Sequence, residues 1–86
     1  MKKLVTVTEV DGEGLMALLG KRVILFCANY FYSGTLVGVN TADVLLEDAG
    51  IVYETGPLNA KTFKDEQKFG GPLYVRTAAI EAYREV

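Results

Sequence analysis

Eighty-six residues are enough for one compact domain and too few for two, and half of them are hydrophobic, so a small packed core is expected. Nine Lys and Arg against eleven Asp and Glu give a net charge of −2, without the basic surplus that duplex-DNA binders use to neutralise phosphate. The chain has no histidine, which removes Ser-His-Asp triads, Cys-His dyads and His-ligated zinc together.

In chain order, the opening MKKLVTVTEV carries an apolar run too short and too mixed with Thr and Glu for a secretory signal. No run approaches the roughly 20 apolar residues that span a bilayer, so a cytoplasmic protein without a membrane partner is expected. Residues 11–19 predict a short helix. Asp11 is its N-cap, Glu13 a first-turn acid, Leu15, Met16, Leu18 and Leu19 its apolar stripe, and Gly20 its stop. From Arg22 the pattern changes to strands over 22–28 and 30–39, with a turn near Ala28 and Asn29. Cys27, alone of its kind and within the apolar run VILFCA, reads as a buried thiol. After the turn NTAD a long strand covers 43–54, with a bulge or bend at Ala49-Gly50. Residues 55–72, bracketed by Gly-Pro and Gly-Gly-Pro, read as an inserted loop whose Lys61, Lys64 and Lys68 are offset by Asp65 and Glu66. Two short strands, 73–76 and 79–84, close the chain around Thr77-Ala78.

The strand YFYSGTLVGVN contains Gly34 and Gly38, and glycine in a strand costs entropy and packs nothing. Such glycines belong where a strand bends sharply and a side chain would crowd the inside of the bend. The expected fold is therefore all-β with one short N-terminal helix, a five-stranded, strongly bent antiparallel barrel. Tyr30, Phe31 and Tyr32 alternate across this strand, so at least one faces outward.

A helix ending in LLGKRV, a strand, and then SGTLVGVNTADVLLEDA resembles the first segment of the Sm-like (LSm) family. Gly34, Leu36 and Gly38 fall on its pattern, as do Val44, Leu46 and Glu47-Asp48-Ala49. LYVRTAAIEAY resembles the second segment through Leu73, Val75, Arg76 and Ile80. The resemblance covers residues 15–54 and 73–84 and is of the divergent kind met in phage and bacterial members. Other small barrels, SH3-like or OB-like, are the alternatives. The resemblance implies a homo-oligomeric ring in which the last two strands of adjacent subunits pair edge to edge. Leu73, Tyr74, Val75, Ile80 and Tyr83 would supply that interface. The residues agree: these strands contain no proline and little protective charge, so a monomer would leave backbone edges unpaired.

The resemblance further implies single-stranded RNA bound around the pore, at Asn40, Asp43, Arg76 and Thr77. The match there is partial. Asn40 stands where the family has Asp, Asp43 where it has Asn, and Thr77 replaces a glycine; Thr41 and Ala42 offer no stacking face. Asn40 and Asp43 read equally as turn formers whose side chains satisfy backbone donors, and Arg76 as one half of an intersubunit ion pair with Asp43 or Asp48. A ring serving as a protein-interaction or structural scaffold is thus the alternative function. Enzymatic readings find no support: Glu47-Asp48 and Asp65-Glu66 are adjacent pairs that point to opposite faces of a strand, and GEGL lacks the surroundings of a phosphate loop. Neither a catalytic residue, a metal ligand nor a cofactor is expected.

Overall fold

Three successive runs of β-branched, aromatic and leucine residues form an antiparallel meander, since such side chains fit a pleated surface buried on one face. The computed structural model describes residues 12–60 and 62–86. The strands are β1 (Arg22–Cys27), β2 (Phe31–Val39), β3 (Asp43–Glu54), β4 (Asp65–Lys68), β5 (Leu73–Arg76) and β6 (Ile80–Glu85). They run side by side as β4-β3-β2-β1-β6, while β5 pairs with the first half of β3, on the flank that β4 occupies further along. All these pairings are antiparallel. The sheet is open rather than closed, and among the described residues β5 pairs only with β3 and β6 only with β1.

One face carries the core. Val23, Leu25, Leu36, Val44 and Leu46 are wholly buried there, with Cys27, Ala49 and Val75 around them. Each such aliphatic side chain contributes about 1.5–3 kcal/mol on burial. Leu15 and Leu18 of the N-terminal segment and Tyr32, Leu73 and Ile80 pack against its margin. On the opposite face Ile24 and Phe26 share a small cavity with Leu58, Ala60 and Phe63 of the segment after β3. Arg84 on β6 anchors that segment by donating from Nη1 to the Leu58 carbonyl at 2.7 Å. Ser33, also wholly buried, donates from its hydroxyl to the Glu66 carboxylate and so ties β4 to β2.

The register between β2 and β3 slips twice, at Gly34 and at Gly38, so the glycines do mark the bends of the strand. At the first slip Asp48 and Ala49 together stand against one residue of β2. Asp48 adopts φ 49°, in the left-handed region that Asp and Asn tolerate best among residues with a side chain. The β3 bulge therefore begins one residue before the expected Ala49-Gly50.

Two expectations need correction. The helix over 11–19 is a single 3-10 turn, Leu15–Leu18, capped by Gly14 without a side-chain bond. Gly12, Gly14 and Gly20 all have positive φ and leave too short a stretch for an α-helix. Asp11 lies outside the described residues. The sheet has six strands instead of five because the segment 55–72 supplies β4, whose charged DEQK edge the turn-rich surroundings conceal in the sequence. The remaining boundaries move by a residue: the first two strands are Arg22–Cys27 and Phe31–Val39, and the last is Ile80–Glu85.

Two cations grip Asp48 at the bend: Lys68 Nζ and Arg22 Nη1 each stand 3.1 Å from Oδ2. The hydrogen bond and charge of Lys68, followed by Arg22, hold this carboxyl below its ordinary range. A depressed folded-state pKa stabilises the fold above the unfolded carboxyl value, about 4, and that gain is lost as pH falls through the folded value. Asp48→Asn keeps the backbone conformation and removes the charge. Its urea midpoint is expected below that of the parent at pH 7, with the gap narrowing below about pH 4. A gap independent of pH would remove the ion pairs as its cause.

Candidate functional site

The turn between β2 and β3 and the corner after β5 come from residues nearly forty positions apart, and the β3–β5 pairing joins them. Asp43 stands opposite Arg76 in the register. The Asn40 amide donates to the Asp43 carbonyl at 2.9 Å and closes the turn. The Thr77 amide donates to the Ala42 carbonyl at 3.0 Å, and Thr77 Oγ1 donates to the Asn40 carbonyl, also at 3.0 Å. Asn40, Asp43, Arg76 and Thr77 thus form one corner, with Thr77 as its clasp. Main-chain groups close the turn. Among the described residues the side chains of Asn40 and Asp43 make no hydrogen bond, which overturns their reading as side-chain turn formers.

The charge at this corner is distinctive. Lys21, Arg22, Lys64 and Lys68 are each paired with a carboxylate, and Arg84 is held by backbone carbonyls. Arg76 is exposed and, among the described residues, has no such partner. Neither Asp43 nor Asp48 pairs with it within the chain; Asp48 is committed to Arg22 and Lys68. The expected offset of Lys64 and Lys68 by Asp65 and Glu66 is replaced by pairs with Glu54 and Asp48, and Lys61 lies outside the described residues.

The strand residues expected at an interface divide by face. Val75 is buried and Leu73 and Ile80 are half-buried against the core, and Tyr74 on the outer face is 65% exposed; Tyr83 stands opposite Leu25 on the core face yet is 39% exposed at the sheet's margin. Beside β5 a groove of about 430 Å³ runs between that strand, the 3-10 turn Thr77–Ala79 and the β1–β2 turn. Cys27, Tyr30, Tyr32 and Glu81 line it together with β5. Burial, and to a lesser degree the Glu81 charge, pushes the Cys27 thiol above its ordinary pKa, so it is a poor nucleophile there. The groove was not evident in the sequence, because its two walls meet only through the β1–β6 and β3–β5 pairings.

Among the described residues no group of three or more Cys, Asp or Glu could hold a metal ion, and no helix is long and apolar enough to cross a membrane. No known protein family matches the chain, and no curated protein does either.

Proposed function

We propose that this chain forms a closed homo-oligomeric ring of the Sm-like type, with a curled sheet as its unit, and binds single-stranded RNA at the Asn40–Thr77 corner around the pore. The observation that carries the reading is the pair of free edges on β5 and β6, since an unpaired edge without proline invites another strand. A head-to-tail contact that closes on itself satisfies every such edge. Repetition around a ring would set the exposed Arg76 of each copy, which has no carboxylate partner among the described residues, beside its neighbours', a positive rim on an otherwise acidic protein.

Labelled oligo-U and oligo-A, titrated at low and physiological salt, test the RNA half of the proposal. Salt-sensitive binding is expected, falling about tenfold or more in Arg76→Ala, because a hydrogen bond to a charged group contributes about 1.5–3 kcal/mol. Native mass spectrometry of both proteins shows whether assembly is retained. Absence of binding at low salt would leave the second reading, a ring used as a protein scaffold. Asp43, whose carboxylate repels phosphate opposite Arg76, and the non-aromatic Thr41 and Ala42 favour that reading.

A further inference from the structure

We propose that residues 4–10, LVTVTEV, lie along the outward edge of β6 and cover, within one chain, the edge that the ring reading leaves open to a neighbouring copy. The pairing stands apart from the ring; its effect on assembly rests on that reading.

The residue types of this segment are those of a strand. Val5, Thr6, Val7, Thr8 and Val10 are β-branched, and such side chains fit a pleated surface best. Neither proline nor glycine interrupts the run. A strand needs a partner for its amides and carbonyls, since alone it has no ladder. β6 offers one: it pairs with β1 on one side and, among the described residues, with nothing on the other.

The path of the chain selects this edge. Gly14 lies at β6, where a Cβ on it would stand 3.9 Å from the Tyr83 hydroxyl oxygen. Gly12 and Gly14 have φ of 84° and 80°, left-handed conformations that let the chain turn ahead of Leu15–Leu18. Only residues 11–13 separate the segment from that point, a span of up to about 10 Å, while adjacent strands lie about 4.8 Å apart. Seven extended residues cover about 23 Å and match the six of β6 in length. β4, the other end of the strand order, lies across β1, β2 and β3. The groove beside β5, which Glu81 also lines, leaves room for an added strand at the start of β6.

Side chains and charge agree with this placement. In an extended segment Leu4, Thr6, Thr8 and Val10 take one face and Val5, Val7 and Glu9 the other. Either face can therefore set a β-branched side chain beside Tyr83, which is 39% exposed on the core face of β6. Lys2 and Lys3 against Glu9 leave residues 1–10 with one positive charge. Glu81 and Glu85 against Arg84 leave β6 with one negative charge. The consequence is competition. A segment on so short a tether reaches an effective concentration on the order of millimolar, so a second copy must displace it to use this edge.

Amide exchange over Ile80–Glu85 tests the pairing, at a dilution where native mass spectrometry shows the monomer. Three proteins are compared: the full chain, a chain lacking residues 1–10, and the full-length Thr6→Pro, Val7→Pro double variant. Successive amides of a strand point to opposite edges, so the two prolines together remove whichever one faces β6. The β6 amides not bonded to β1 are expected to exchange about tenfold or more faster in both variants, with β2 unchanged as the sign of an intact core. Unchanged exchange in β6 would overturn the inference whether or not a ring forms. A full chain that remains a ring at the lowest dilution would overturn it as well, because its β6 edge is then already open to neighbours. Assembly gives the second readout: both variants are expected to form the ring at about tenfold lower concentration than the full chain. Faster exchange without that gain supports the pairing and counts against the ring reading instead.

Discussion

Leu36→Ala is expected to destabilise the fold by about 2–5 kcal/mol, the range for deleting a buried leucine side chain and leaving its cavity. Leu36 is wholly buried on the core face of β2, opposite Leu46 and among Val44, Leu25 and Val75. The β2–β3 bends on either side hold the backbone, so the site cannot collapse freely around the lost atoms. A domain of this length holds about 4–13 kcal/mol in total, and the variant therefore sits near the edge of folding. Urea denaturation followed by circular dichroism measures the loss, and the melting temperature should fall by about 10 °C or more. The adjacent Val37 supplies the contrast: it is 39% exposed at the second register slip, and Val37→Ala should stay within about 0.5 kcal/mol. A loss under 1 kcal/mol for Leu36→Ala would mean that the core is not organised around β2.

The parts of this architecture that follow from local pattern are those legible in the sequence. β3 spans the predicted 43–54 and β5 the predicted 73–76, because each is an apolar alternation bounded by turn residues. Gly34 and Gly38 announced bends, and the register slips at both. β4 was illegible for the converse reason. Asp-Glu-Gln-Lys has poor strand propensity, and what makes it a strand is tertiary: its ladder with Gly50–Glu54 and the bond from buried Ser33 to Glu66. The N-terminal helix was overread, since its apolar spacing was sound but three glycines of positive φ set its length. The site was half legible. Asn40, Asp43, Arg76 and Thr77 were identifiable one by one, whereas the clasp from Thr77 to Asn40 and Ala42 exists only once β5 lies on β3. That Arg76 has no acid partner among the described residues emerged from the structure alone, because it depends on where Lys21, Arg22, Lys64 and Lys68 find their acids.

The glycines offer the sharpest test of why the sheet bends, because equal substitutions should differ in a predictable order. A methyl group on Gly34 would stand 2.9 Å from Leu46 Cβ and 3.0 Å from the Glu47 carbonyl oxygen. Neither neighbour yields easily, one being a buried core residue and the other backbone, so Gly34→Ala is expected to cost about 1–3 kcal/mol. Gly50→Ala meets the Gln67 carbonyl oxygen at 2.7 Å, and its cost of about the same size should fall mainly on β4, as faster amide exchange over 65–68. At Gly38 the nearest contact is Leu45 Cβ at 3.3 Å on a half-buried side chain, and the loss should stay under about 1 kcal/mol. Gly71 has nothing within 4 Å and no positive φ, so Gly71→Ala should be neutral or stabilise by about 0.4–1 kcal/mol through the unfolded chain. Propensity alone would rank Gly34 and Gly38 with the gains, since alanine is the better strand residue. Close approach of β3 to the inside of each bend reverses that sign at Gly34, and four denaturation curves decide between the two accounts.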